Sequence, residues 1–88
     1  MVADSKANAL RRLATIEGHL AAVRRMIERD DYCVDVLKQT YAVRRAIERL
    51  ESNLLSAHLQ TCLPAGIREG RDDQVIDELI QLYALNNK

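Results

Sequence analysis

The sequence predicts an all-α chain: a three-helix protomer made of one long helical hairpin and a short third helix. Three observations carry that prediction. Helix breakers are scarce, with one proline and three glycines in 88 residues. Apolar residues of the first half recur every three or four positions, along Leu13, Ile16, Leu20, Val23 and Ile27. Phe and Trp are absent and Tyr32, Tyr41 and Tyr83 are the only aromatics, so Leu, Ile, Val and Ala must supply the core.

The first helix is expected from about Ser5 to Arg29, started by an Asp4 or Ser5 cap. A link at Arg29-Asp30-Asp31 follows, where Asp30 or Asp31 can cap the second helix. That helix is expected from about Tyr32 to Leu63, ended by Pro64 and Gly66. Val36, Val43, Ile47, Leu50 and Leu54 form its apolar stripe, widened by Leu37, Leu55, His58, Leu59 and Cys62. A turn from Gly66 to Gly70 leads to a third helix from Asp72 to about Leu85, capped by Asp72 or Asp73. Its Val75, Ile76, Leu79, Leu82 and Tyr83 are expected to face inward. Helices one and two make an antiparallel hairpin with two apolar edges and too little chain to cover both. Pairing of two hairpins into an antiparallel four-helix-bundle homodimer is the expected answer. Residues 1–88 are read as a single domain, with residues 1–4 and 86–88 flexible. A helix-turn-helix is excluded, because the two main helices are long and their link lacks glycine.

No apolar run is long enough to span a bilayer, and the first residues carry no signal-peptide pattern, so a cytoplasmic protein is expected. The formal net charge is zero, but it is unevenly spread. Residues 1–50 hold ten Lys and Arg against seven Asp and Glu, whereas residues 51–88 hold three against six. The arginines come in pairs, Arg11-Arg12, Arg24-Arg25 and Arg44-Arg45. Such pairs are either a solvated face or, repeated by symmetry, a basic stripe for an anionic partner.

Two cysteines in a cytoplasmic chain are rarely a structural disulfide. His58 and Cys62 are four apart on one helix and share a face, a spacing equally open to a buried Cys beside a hydrogen-bonded His. Cys33 narrows the choice. Projected on an ideal helix it falls within about 20° of both, although it lies roughly 38 Å from His58 along the axis. The three cannot meet in one chain. They can meet if the second helix packs antiparallel on its copy, with a two-fold axis near Ala46-Ile47. The register that sets Cys33 against Cys62 also sets Arg44 against Glu51. Two thiolates and one imidazole form a soft, low-coordinate set suited to Cu(I), whereas Zn²⁺ would want a fourth ligand that the stripe lacks.

These residues resemble the copper-sensitive operon repressors, the CsoR family. The resemblance lies in Ile16-Glu17-Gly18-His19-Leu20, Arg25-Met26-Ile27, the run Asp31-Tyr32-Cys33-Val34-Asp35-Val36-Leu37, Ala42-Val43 and His58-Leu59-Gln60-Thr61-Cys62. It covers about residues 9–85, and the Cys-x24-His-x3-Cys spacing is its most specific part. The resemblance implies a disulfide-free dimer of dimers whose metal-free form sits on double-stranded operator DNA and is released by Cu(I), derepressing copper-resistance genes. It implies Cys33 of one subunit with His58 and Cys62 of another as copper ligands, and Tyr32 and Glu78 around them. Glu78 would reach a ring N–H of His58 and make the third helix a metal-sensitive lid. Arg12 and Arg49 fall on family positions implicated in operator binding, and Arg11, Arg44 and Arg45 extend that basic face. His19 and the remaining tyrosines are read as packing residues.

The alternative within the superfamily is a persulfide sensor that crosslinks Cys33 and Cys62 and has no use for the imidazole of His58. Nickel, cobalt and formaldehyde sensors lack a Cys62 equivalent or add N-terminal ligands. An enzyme is not expected, since neither CxxC nor a Gly-rich loop is present, and no small-molecule substrate is implied.

Overall fold

In the computed structural model, which describes residues 3–86, every element is helical. Helix α1 spans Ala3–Glu28 and α2 spans Cys33–Ala57. A π-helical turn, His58–Cys62, continues α2 without a break into α3, Leu63–Arg68, and α4 spans Asp72–Asn86. The three expected helices are therefore present, but their ends differ from the sequence reading.

Helix α1 already includes Ala3 and Asp4, so Asp4 and Ser5 lie inside it rather than capping it. Asp4 still sits in the first turn, where a carboxylate is favoured by the helix dipole. Residues 1–2 and 87–88, expected to be flexible, lie outside the described residues, whereas Ala3, Asp4 and Asn86 are helical. Asp30 and Asp31 do not cap α2. Its N-cap is Tyr32, which makes no side-chain cap bond. Asp30 instead terminates α1 in the left-handed region, at φ 57°. Asp31 N–H donates to the Met26 carbonyl at 2.9 Å and Asp30 N–H to the Ile27 carbonyl at 3.1 Å. That is the paired closure of a Schellman motif.

The same closure recurs after α3. Arg71 N–H donates to Gly66 at 2.8 Å and Gly70 N–H to Ile67 at 3.1 Å, with Gly70 at φ 78°. An ion pair straddles each left-handed residue, Arg29–Asp31 before α2 and Arg71–Glu69 before α4, both at 2.7 Å. The hydrogen bond and charge of Asp31 raise the pKa of Arg29. Exposed pairs of this kind add little stability, but they fix the turn locally.

Pro64 and Gly66 do not end the second helix. Pro64 sits in the first turn of α3, and the stop is Gly70. A proline ring normally collides with the carbonyl four residues back. Here the widened π turn directly precedes it and absorbs the mismatch. Gly66 is buried in the middle of α3 because α4 crosses over it. A Cβ at that position would lie 2.5 Å from Val75 Cγ1.

Helices α1 and α2 form the expected hairpin around Ile16, Val23 and Val43, backed by half-buried Val36, Ala46 and Leu50. The other edge is bare. Leu13, Leu20 and Ile27 of α1 are exposed, as are Leu37, Ile47 and Leu54 of α2. Among the described residues, helix α4 packs on α3 and on no other helix, so it stands off the hairpin. Val75 is its one buried residue; Ile76, Leu82 and Tyr83, expected inside, are exposed. A chain 55 Å long and 14 Å thin has too little width to bury both faces of its helices.

Candidate functional site

Cys33 is the first residue of α2, next to the exposed Tyr32. Its thiol is free and exposed at the start of the helix. His58 and Cys62 are the first and last residues of the π turn. Cys62 is free and exposed, with its Sγ 3.7 Å from the Thr61 hydroxyl oxygen. His58 is half-buried, and its Nε2 is buried without a hydrogen-bond partner. An unsatisfied buried nitrogen of this kind costs roughly 1–3 kcal/mol, so it marks a place where a ligand or acceptor belongs.

His58 and Cys62 thus share one π turn, and Cys33 lies apart from them. It stands at the opposite end of an unbroken helical rod. Among the described residues, no three His, Cys, Asp or Glu side chains gather around one point. Glu78 lies exposed on α4 and makes no bond to His58 Nε2 in the single chain. The donor set itself, two free thiols and an imidazole with an orphaned nitrogen, fits a soft cation of low coordination number.

A second feature lies between α1 and α2. An open groove of about 550 Å³ is lined by Arg12, Arg45, Glu48, Arg49, Ser52 and Asn53. It adjoins a smaller one that shares the three arginines and reaches Thr15 and His19. The spacing explains the convergence: Arg45, Arg49 and Asn53 recur every fourth residue on α2, and Arg12, Thr15 and His19 follow one face of α1. Arg12 Nε, His19 Nδ1 and Asn53 Nδ2 are buried without partners. Of the five arginines read as a basic face, the groove gathers Arg12, Arg45 and Arg49. Arg11 and Arg44 lie outside its lining, and Arg44 stacks 5.2 Å over the Tyr41 ring. Asn53 escaped the sequence reading. Its signal was its place one turn beyond Arg49, visible only once α1 is laid alongside.

No helix among the described residues is long and apolar enough to cross a membrane. The chain is 49% identical over 77 residues to the copper-sensing transcriptional repressor CsoR of Mycobacterium ulcerans, a match covering 88% of this chain and 66% of that protein. It is 45% identical over 75 residues to the CsoR of Mycobacterium tuberculosis H37Rv, covering 85% and 63% respectively. The chain therefore spans a little under two thirds of the length of these relatives. A crystal structure of the copper-sensing repressor CsoR with Cu(I) from Geobacillus thermodenitrificans superposes with a TM-score of 0.90 at 32% identity, covering 100% of this chain and 92% of that one. The family model of metal-sensitive transcriptional repressors matches residues 5–84, and the chain belongs to that family, one of repressors and not of enzymes.

Proposed function

We propose that the chain is a Cu(I)-responsive transcriptional repressor whose sensing site is shared between subunits. The observation that carries this reading is the split donor set: a free thiol at one end of a continuous rod, and a thiol with an orphaned imidazole at the other. Antiparallel pairing of α2 with its copy, across the bare edge that includes Leu37, Ile47 and Leu54, would bring Cys33 of one chain to His58 and Cys62 of the next. The relatives named as copper-sensing repressors, one of them seen with Cu(I), support the choice of ion. Each thiol loses its proton on coordination, so binding is favoured by rising pH.

The groove between α1 and α2 is the proposed contact to duplex DNA. Its three guanidiniums can receive backbone phosphates, and Asn53 adds a neutral donor. Phosphate contacts give affinity that falls steeply with salt. Coordination would tie the π turn to a neighbour's Cys33, and α3, which continues that turn, would follow it. Glu78 and Tyr32 are the proposed outer partners of the site. Four chains, as a dimer of dimers, would present the basic grooves together in the cytoplasm. The linkage between copper and DNA needs only about 1–3 kcal/mol to empty an operator.

Titration of Cu(I) into an operator-bound sample tests the proposal. Release of DNA as copper fills one site per chain is expected, and undiminished DNA affinity at full loading would end the reading. In parallel, polysulfide treatment followed by mass spectrometry separates the alternative. A Cys33–Cys62 sulfur bridge between chains that releases DNA where copper does not would establish a persulfide sensor.

A further inference from the structure

His58 and Cys62 do not stand on ordinary α-helix. The turn between them is π-helical, and Leu63 N–H donates to the His58 carbonyl five residues back. Such turns are rare and need a local cause. Two causes flank this one. Pro64 has no N–H to continue the α ladder, and in a regular helix its ring would collide with the Gln60 carbonyl. Thr61 donates its hydroxyl to the Ala57 carbonyl at 2.6 Å, a side-chain insertion of the kind that bends helices.

The turn changes how the two donors are aimed. On an α-helix, Cys62 would stand one turn on and rotated by about 40° past His58. A π turn rotates less per residue, so it swings Cys62 back relative to His58. We infer that Pro64 and Thr61 are positioning residues of the metal site: by holding the π turn they set the angle at which the His58 imidazole and the Cys62 thiolate can reach one ion. The inference rests on the copper reading above and names what sets the angle of the imidazole in the site. With the turn relaxed to α-helix, His58 and Cys62 still share a face, but Cys62 is carried to the other side of His58, so the imidazole meets an ion held by the two thiolates at a poorer angle and a longer distance. The orphaned Nε2 of His58 is consistent with a ring held by its backbone rather than by a partner in its own chain.

The test uses the full chain with Pro64→Ala and, separately, Thr61→Val. NMR chemical shifts of residues 57–64 in the metal-free protein report the turn. X-ray absorption of the Cu(I)-loaded protein counts sulfur and nitrogen. The unaltered chain should show two sulfurs and one nitrogen, the nitrogen being lost in His58→Ala. Pro64→Ala should show α-helical shifts across the turn and a lengthened or lost copper–nitrogen contact at unchanged copper stoichiometry. Thr61→Val should move the same way to a smaller extent, and it carries the test if Pro64→Ala does not fold. An unchanged copper–nitrogen distance in both variants, or persistence of the π turn in both, overturns the inference. A site without nitrogen in the unaltered chain would instead defeat the copper reading on which it rests.

Discussion

The two halves of the molecule are built from the same kind of helix and differ in what holds them. The α1–α2 hairpin is packed along its length, around Ile16, Val23 and Val43. The arm made by the π turn, α3 and α4 touches mainly itself, and its tightest contact is Val75 seated on Gly66. The basic groove lies on the packed half, whereas His58 and Cys62 lie on the turn where the arm departs. Local stability is low where buried contacts are few, so the arm is expected to open before the hairpin does.

The comparison can be broken hardest in the hairpin. Ile16, 4% exposed, sits at the centre of its core. Ile16→Ala should cost about 2–5 kcal/mol, read as a lower urea midpoint at fixed protomer concentration, with protection from hydrogen exchange falling across α1 and α2 together. Loss confined to the arm would show that the hairpin is not the stable half.

A smaller effect is expected at the arm. Gly66→Ala forces a Cβ into Val75, and overpacking of this kind costs roughly 1–3 kcal/mol, outweighing the ~0.5–1 kcal/mol that alanine gains over glycine inside a helix. Faster hydrogen exchange in α4 with an unchanged hairpin is the expected result. Val75→Ala in the same chain should restore much of the protection by vacating the space. If Gly66→Ala slows exchange in α4, the close approach is not limiting.

The smallest change sharpens the comparison between the two turns. Both use a Schellman closure, one with Gly70 and one with Asp30 in the left-handed region. Asp30→Gly should stabilise the chain by about 0.5–1 kcal/mol, seen as a small rise in melting temperature, because glycine adopts that conformation without a Cβ penalty. An unchanged or lower melting temperature would mean that the Asp30 side chain compensates its own strain.

Much of the candidate site was legible in the chain. Cys33, His58 and Cys62 stand out by spacing, and the continuous helix between the thiols forbids their meeting in one subunit. What was hidden follows from how turns and ladders compete. Asp30 and Asp31 read as caps for α2, yet they close α1, because a left-handed residue can satisfy the last carbonyls of one helix as readily as a carboxylate can satisfy the first amides of another. Pro64 read as a stop, yet the helix passes it by widening one turn. Asn53 carried no mark, and His19 read as a packing residue, until α1 and α2 were laid together.

By itself, the sequence determined that the chain is helical, that α1 and α2 fold back on each other and that Cys33 stands far along one helical rod from His58 and Cys62. These follow from apolar period and spacing, which are properties of the chain alone. The π turn at His58 and Cys62 has local causes in Thr61 and Pro64, but the carbonyl that Leu63 N–H finds could be read only from the structure. Only the tertiary structure decided that three arginines face a common groove and that α4 rests on α3 instead of on the hairpin. Both depend on which surfaces meet, and that is settled between segments rather than within them.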